Sequence, residues 1–249
     1  MRLTVLGSSG GTPSRTNPAS GYLIEADDAT IWVDCGTGTF MELARLVDPG
    51  RLSAVVVSHI HVDHCADLYG LYGYLAYGPS GVVPVPVYVP PGAAGHLADF
   101  ARAAEEHVFN HVLDLITVTR GDRATVAGIT LSFGEGNHSV PCLVTRFEHD
   151  RASLVFSGDT GPGGDLAALC AGADMALIEA SLQGERQSWQ IPHHLTAGEA
   201  GATASAAGAA ALIVTHVPPT LESSVSVAEA AAGYGAPVLL AEPGAVFDV

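Results

Sequence analysis

The sequence predicts an α/β fold: an αββα sandwich in which two mixed β-sheets pack face to face beneath outer helices. Three observations lead there. Strand and helix patterns alternate up to about residue 108. Five short strand patterns then follow one another across tight turns, and after Asp159 helix and strand alternate again. Such an order needs helices outside both sheets to cover their apolar faces. No linker, repeat or charge run divides the chain, so residues 1–249 are expected to form one domain.

Leu3–Leu6 reads as a first strand ending in the small-residue loop Gly7-Ser8-Ser9-Gly10-Gly11. Gly21–Glu25 and Thr30–Asp34 are strands about a turn at Asp27-Asp28, and Gly36-Thr37-Gly38 opens a helix near Phe40–Leu46. Leu52–Val57 is a buried strand, followed by a helix over Cys65–Ala76, a short strand Val85–Val89 and a helix Ala93–Val108. The strand run comprises Val112–Val118, Ala124–Val126, Ile129–Gly136, Cys142–His149 and Ser153–Ser157. Then come helix Leu166–Cys170, strand Met175–Glu179, helix Thr196–Ala207, strand Leu212–Thr215, helix Ser226–Tyr234 and strand Val238–Leu240. The Ala-rich stretch Ala200–Ala211 suits a tightly packed helix.

The chain is 48% hydrophobic, which excludes global disorder, and its net charge is −16 with ten basic residues, all arginine. There is no basic stripe of the kind that grips a polyanion, so the expected partner is a small molecule, not long nucleic acid. No apolar stretch reaches a membrane-spanning length, and the N-terminus has no signal-peptide pattern; a cytoplasmic location follows as the expectation. Cys35, Cys65, Cys142 and Cys170 lack paired spacing and read as free thiols, with Cys65 a small buried residue.

The chemistry concentrates at His59-Ile60-His61-Val62-Asp63-His64, where four metal-ligand side chains occupy six positions at the mouth of a strand. In extended chain, residues i and i+2 project to the same side, so His59 and His61 can share one ion. Asp63 and His64 follow the strand end, where the chain can turn toward a second. A structural zinc site would more often be closed and cysteine-rich. Three later strand ends offer further donors: His138 in Gly136-Asn137-His138, Asp159 in Ser157-Gly158-Asp159-Thr160, and His216 in Thr215-His216-Val217-Pro218. A carboxylate can bridge two cations, the natural role for Asp159. Two ions about 3.5–4 Å apart activate water and polarise a substrate oxygen.

This ordered series resembles that of the metallo-β-lactamase superfamily and spans nearly the whole chain. Val33-Asp34-Cys35-Gly36 resembles the superfamily's first motif, whose aspartate supports the site from behind the ligands. The resemblance implies two divalent ions, most often zinc, with manganese or iron in some members. One would take His59, His61 and His138, and the other Asp63, His64 and His216, with Asp159 shared; Asp63 also handles a proton. Aspartate, not cysteine, at position 159 departs from the zinc β-lactamases. A histidine, where the oxygen-reducing di-iron flavoproteins often carry an acid, argues against redox chemistry.

Glu179-Ala180-Ser181 and His194-Leu195-Thr196 resemble segments of the ribonuclease Z and phosphodiesterase branch, as do Gly7–Pro13 and Ala19–Tyr22. There, the glutamate and histidine lie near the scissile phosphate, so Asp63, His194 and Glu179 are the implied catalytic residues. The long tRNA-clamping arm often found between the third and fourth motifs is missing: His138 and Asp159 are 21 residues apart, filled by two strands. The pattern looks closer to bacterial cyclic-nucleotide phosphodiesterases.

The leading expectation is therefore a binuclear metal-dependent hydrolase cleaving a small phosphodiester such as a 3′,5′-cyclic nucleotide. The alternatives are a thioester, lactone or ester hydrolase, a ribonuclease Z-like tRNA endonuclease disfavoured by arm and charge, and a non-catalytic metal-binding protein. A homodimer is compatible with the apolar helices. Tyr69, Tyr72, Tyr74 and Tyr77 are expected to pack in the core or a dimer contact, with base stacking the alternative. Trp189 is a candidate substrate-facing lid, His193 a neighbour pointing elsewhere, and His96, His107, His111 and His149 surface residues.

Overall fold

Strict alternation of buried side chains builds three apolar layers. On β3 (Ala29–Val33), Ile31 and Val33 point into the space between two sheets, while Trp32 points outward under helices. β10 (Ala152–Phe156) does the same, with Leu154 and Phe156 facing inward and Val155 outward. Trp32, Tyr22 and Phe147 are almost completely buried; removing a side chain of this size from water contributes about 1.5–3 kcal/mol each. The computed structural model describes residues 1–78, 83–188 and 192–249, with the side chains of residues 100 and 102–107 outside the described set.

The first sheet has the order β14-β1-β2-β3-β4-β5-β6, with β1 Arg2–Gly7, β2 Gly21–Ala26, β4 Ala54–Val56, β5 Val85–Val89, β6 Leu113–Thr117 and β14 Val246–Asp248. The second has the order β13-β12-β11-β10-β9-β8-β7, with β7 Arg123–Val126, β8 Ile129–Glu135, β9 Leu143–His149, β11 Met175–Glu179, β12 Leu212–Thr215 and β13 Leu239–Leu240. In the orders given, the first sheet runs antiparallel over its first three pairings and parallel over the other three, and the second runs parallel over its first three and antiparallel over the rest. Helices α1 (Thr39–Leu46), α3 (Leu68–Tyr77) and α4 (Ala93–Val112) cover the outside of the first sheet. α5 (Leu166–Leu169), α6 (Ala197–Ala207) and α7 (Ser223–Tyr234) cover the second. This is the expected αββα sandwich.

Several boundaries differ from the sequence expectation. The helix placed at Cys65–Ala76 is two pieces, α2 (Val62–Cys65) and α3. The break falls where the Asp67 carboxylate turns back to accept from the Gly38 and Phe40 amides, satisfying the start of α1. α4 continues to Val112, so β6 begins at Leu113. The short 3₁₀ turn Pro49–Arg51 and strand β14, which pairs with β1 from the other end of the chain, were not anticipated.

α6 and α7 approach closely because Gly201 carries no side chain: a Cβ there would lie 2.1 Å from the Ala230 carbonyl oxygen. Tyr69 and Tyr72 pack on Phe109, and Tyr74 on Phe40, so these three serve the core, while Tyr77 is largely exposed. All four cysteines are buried free thiols; burial pushes Cys65 up to about 11 and Cys170 to about 12. No helix among the described residues is long and apolar enough to cross a membrane.

Candidate metal centre

Strand direction puts the donors at one edge. β8, β10, β11 and β12 all run the same way, so their C-terminal ends, followed by His138, Asp159, Glu179–Ser181 and His216, share that edge. β3 and β4 of the other sheet are also parallel, and they deliver Asp34 and the hexapeptide. The sheets are tied together there by the Leu143 amide donating to the Ser58 carbonyl (2.9 Å) and by the Tyr22–Thr215 hydroxyl contact at 2.5 Å. Asp34 and His216 both adopt left-handed backbone, φ 55°. For residues with a Cβ this is strained, and it turns each side chain abruptly out of its strand direction.

Two separate clusters result, and a third grouping, Asp159, His194 and His216, overlaps both. His59, His61, His138 and Asp159 bring one ligand atom each within 4.8 Å of the others, and so do Asp63, His64 and His216. In the first, His61 Nδ1 lies 3.0 Å from His59 Nε2 and 3.2 Å from His138 Nε2. In the second, His216 Nε2 lies 3.1 Å from both His64 Nε2 and Asp63 Oδ2. Asp159 spans them: Oδ2 is 3.7 Å from His59 Nε2, while Oδ1 is 3.4 Å from His64 Nε2 and 3.5 Å from His216 Nε2. Donors about 2.0–2.1 Å from a tetrahedral cation sit roughly 3.3 Å from one another, which matches these separations. Asp159 Oδ1 is buried with no hydrogen-bond partner among the described residues, an orphan that a cation would satisfy. The donor set therefore suits divalent-metal binding, with Asp159 lying between the two clusters.

The electrostatics agree. Burial pulls the His59, His61 and His138 imidazoles below their ordinary values, which favours the neutral, ligating form. Burial alone would raise Asp159 and Asp63. The neighbouring His216 and His64 outweigh it and hold both carboxyls well below the usual range, Asp63 through hydrogen bonds and Asp159 chiefly through charge. Burial would lower His64, but the charges of Asp159 and Asp34 raise it.

Behind the donors lies a layer of fixed partners. Asp34 Oδ2 accepts from His64 Nδ1 at 2.6 Å and from the Ser58 hydroxyl at 2.8 Å, and Ser58 Oγ lies 3.0 Å from His59 Nδ1. His138 Nδ1 donates to the His193 carbonyl at 3.0 Å. The Gly11 amide donates to Asp63 Oδ2 at 2.8 Å, bringing the N-terminal loop onto the centre. Such contacts orient ligand rings and set their tautomers.

His194 lies beside the clusters, its ring stacked near His216 with centroids 5.9 Å apart. Its Nδ1 donates to Glu179 Oε1 at 2.9 Å and stands 3.9 Å from Asp159 Oδ2. Burial depresses this imidazole, but the hydrogen bond and charge of Glu179 raise it above its ordinary value. The His194 carbonyl is held by Arg186, whose guanidinium also pairs with Glu199 in the first turn of α6. Glu199 and Thr196 form a reciprocal capping box there.

All the sequence-assigned site residues thus meet at one edge. His193 contributes its carbonyl, and its half-buried ring leaves Nδ1 without a hydrogen-bond partner among the described residues. His96 and His111 are exposed as expected. His149 differs, being partly buried with Nε2 3.1 Å from Asp27 Oδ2, a turn acid 122 positions away. The His107 side chain and Trp189 lie outside the described residues. Sequence reasoning missed Ser58 and Arg186, neither of which carries a spacing signal.

Comparison with known proteins gives this geometry a family. The family described as "Beta-lactamase superfamily domain" matches residues 7–217. The Mycobacterium leprae protein ML1173 is 32% identical, covering 100% of this chain and 89% of its own length. The probable metallo-hydrolase YhfI of Bacillus subtilis is 30% identical over 88% of this chain and 87% of its own length. Its crystal structure superposes with a TM-score of 0.88 at 26% identity, covering 99% of each chain. A ribonuclease Z from Mycobacterium bovis BCG is 30% identical over 89% of this chain and 87% of its own length. The chain belongs to the metallo-β-lactamase superfamily, in its ribonuclease Z-like branch of metallo-hydrolases.

Proposed function

We propose that the protein is a metal-dependent phosphodiesterase acting on a small phosphodiester, such as a 3′,5′-cyclic nucleotide. The observation that carries this reading is the Glu179–His194 pair, a hydrogen-bonded imidazole standing 3.9 Å from the shared carboxylate and outside the first ligand clusters. Two bound divalent ions would supply an activated water and neutralise charge on the phosphoryl oxygens. Asp63, held by the Gly11 amide, is placed to orient that water and take its proton. His194, with Nδ1 committed to Glu179, keeps Nε2 for the substrate. Its raised affinity for protons suits it to protonate the departing oxygen.

Two features support a small substrate. The surface is strongly acidic, with net charge −16, which repels a polyanion. Residues 139–158 are occupied by β9 and β10 and carry no long arm.

The test is appearance of AMP from 3′,5′-cyclic AMP with metal-replete protein and a chelated control. His194→Ala should keep its metal and lose about 10²–10⁴-fold in turnover. Full activity in that variant would overturn the role of His194. Metal-dependent cleavage of a thioester or lactone, with no phosphodiester cleaved, would replace this reading with a carbonyl hydrolase.

A further inference from the structure

Glu179 is fully buried, and four donors converge on its two oxygens. Oε1 accepts from the Thr160 amide (2.9 Å) and from His194 Nδ1; Oε2 accepts from the Ser181 amide (3.0 Å) and the Ser181 hydroxyl (2.6 Å). With two donors on each oxygen, Glu179 serves here as an acceptor. The single Ser181 hydroxyl proton is then committed to Glu179. The His216 carbonyl, at 3.4 Å, is a much longer alternative acceptor. With its proton spent, Ser181 Oγ can only accept from His216 Nδ1, 2.8 Å away. That contact assigns a hydrogen to His216 Nδ1, which leaves Nε2, facing Asp63 and His64, as the nitrogen that would ligate a bound cation.

One chain of hydrogen bonds thus runs from a ligand of the second cluster to the candidate acid: His216, Ser181, Glu179, His194. The other ligand histidines with a partner behind them are braced differently, His64 by Asp34, His138 by a backbone carbonyl and His59 by Ser58. None of those partners hydrogen-bonds the His194 side chain among the described residues, although the His193 carbonyl adjoins His194 through the peptide bond. We propose that Ser181 is a positioning residue that sets two things with one proton: the grip of His216 on the second ion, and the orientation of the Glu179–His194 pair. The inference builds on the phosphodiesterase reading for its catalytic half, whereas its metal half needs no substrate.

Zinc titration of the metal-free protein against a competing chelator tests it, with turnover measured at saturating zinc. Wild-type protein should take up two ions. In Ser181→Ala the first should bind as in wild type and the second about 10–100-fold more weakly. Cyclic AMP turnover should fall even when zinc saturates. The fall should be smaller for bis(p-nitrophenyl) phosphate, whose leaving group needs little protonation. Ser181→Thr, which keeps the hydroxyl, should restore both properties. Glu179→Gln should weaken the second ion as well, although Glu179 touches no ligand directly.

Wild-type affinity for the second ion in Ser181→Ala would overturn the proposal, as would uptake of a single ion by wild type. Equal losses in the Ala and Thr variants would also overturn it, because side-chain volume would then be the controlling property. Thermal unfolding of the metal-free variants, coincident with wild type, separates these outcomes from misfolding. If wild type cleaves no phosphodiester, the zinc arm alone decides the metal half and the functional reading fails separately.

Discussion

Gly161→Ala adds one methyl group, yet it should disable the centre. Gly161 follows Asp159 by two positions and lies under the segment that carries His193 and His194. A Cβ at 161 would sit 1.9 Å from the Pro192 carbonyl oxygen and 3.2 Å from His193 Cα. Real Cβ contacts are essentially never below 3.0 Å, so the segment must retreat by about 1.1 Å. Its far end is fixed by Thr196, Arg186 and the capping box, so the shift has to be absorbed at His193 and His194. A misplacement of about 1 Å can cost about 10²-fold in rate, equivalent to about 2.7 kcal/mol of transition-state stabilisation. The His193 carbonyl moves with the segment, so the contact that orients His138 also weakens. The assay is turnover of a small phosphodiester at saturating zinc, with zinc stoichiometry and thermal unfolding measured on the same preparation. A folded variant with wild-type turnover would refute the reasoning, since it would mean that His194 need not be held where the structure has it.

Asp159→Asn keeps the shape but removes the charge shared by both clusters; zinc stoichiometry by elemental analysis should fall at both sites, and turnover with it. Burial alone would raise Glu199, but the Arg186 hydrogen bond outweighs it and its carboxyl is lowered, so its stabilising contribution is present above the ordinary value of 4.5 and is lost as pH falls through the native one. The melting-temperature gap between wild type and Glu199→Gln, followed by circular dichroism, should therefore narrow as pH drops below 4.5. Gly201→Ala forces α6 away from the Ala230 carbonyl, and urea unfolding should show a loss of about 1–3 kcal/mol, the usual cost of overpacking.

The fold was legible where apolar alternation is regular. Ile31, Trp32 and Val33 announce a strand buried on both faces, and the helices after Asp159 separate cleanly from the strands between them. β14 was not legible because its three residues gain their identity only by pairing with Arg2–Thr4 at the opposite terminus. The candidate ligands could be read because metal chemistry restricts residue type and four of them are nearly consecutive. Of their supports, Asp34 and Ser181 fall within motifs that could be read, but Ser58 looks like any other serine, and the partners given by Gly11 and His193 are backbone groups with no residue signature. Arg186 matters through a carbonyl eight residues away.

The division of the sandwich into two sheets has a thermodynamic consequence. Each cluster draws donors from both: His61 meets His138 across 77 positions of chain, and Asp63 meets His216 across 153. A cation held there is a reversible cross-link that stitches the two halves of the polypeptide along one rim. Its binding free energy adds to that of folding, and its loss releases loops that are long and entropically costly to close. Chelation should therefore lower the melting temperature and speed amide exchange first at the strand ends near Ser58, Ser157 and Thr215, while the opposite rim keeps its protection.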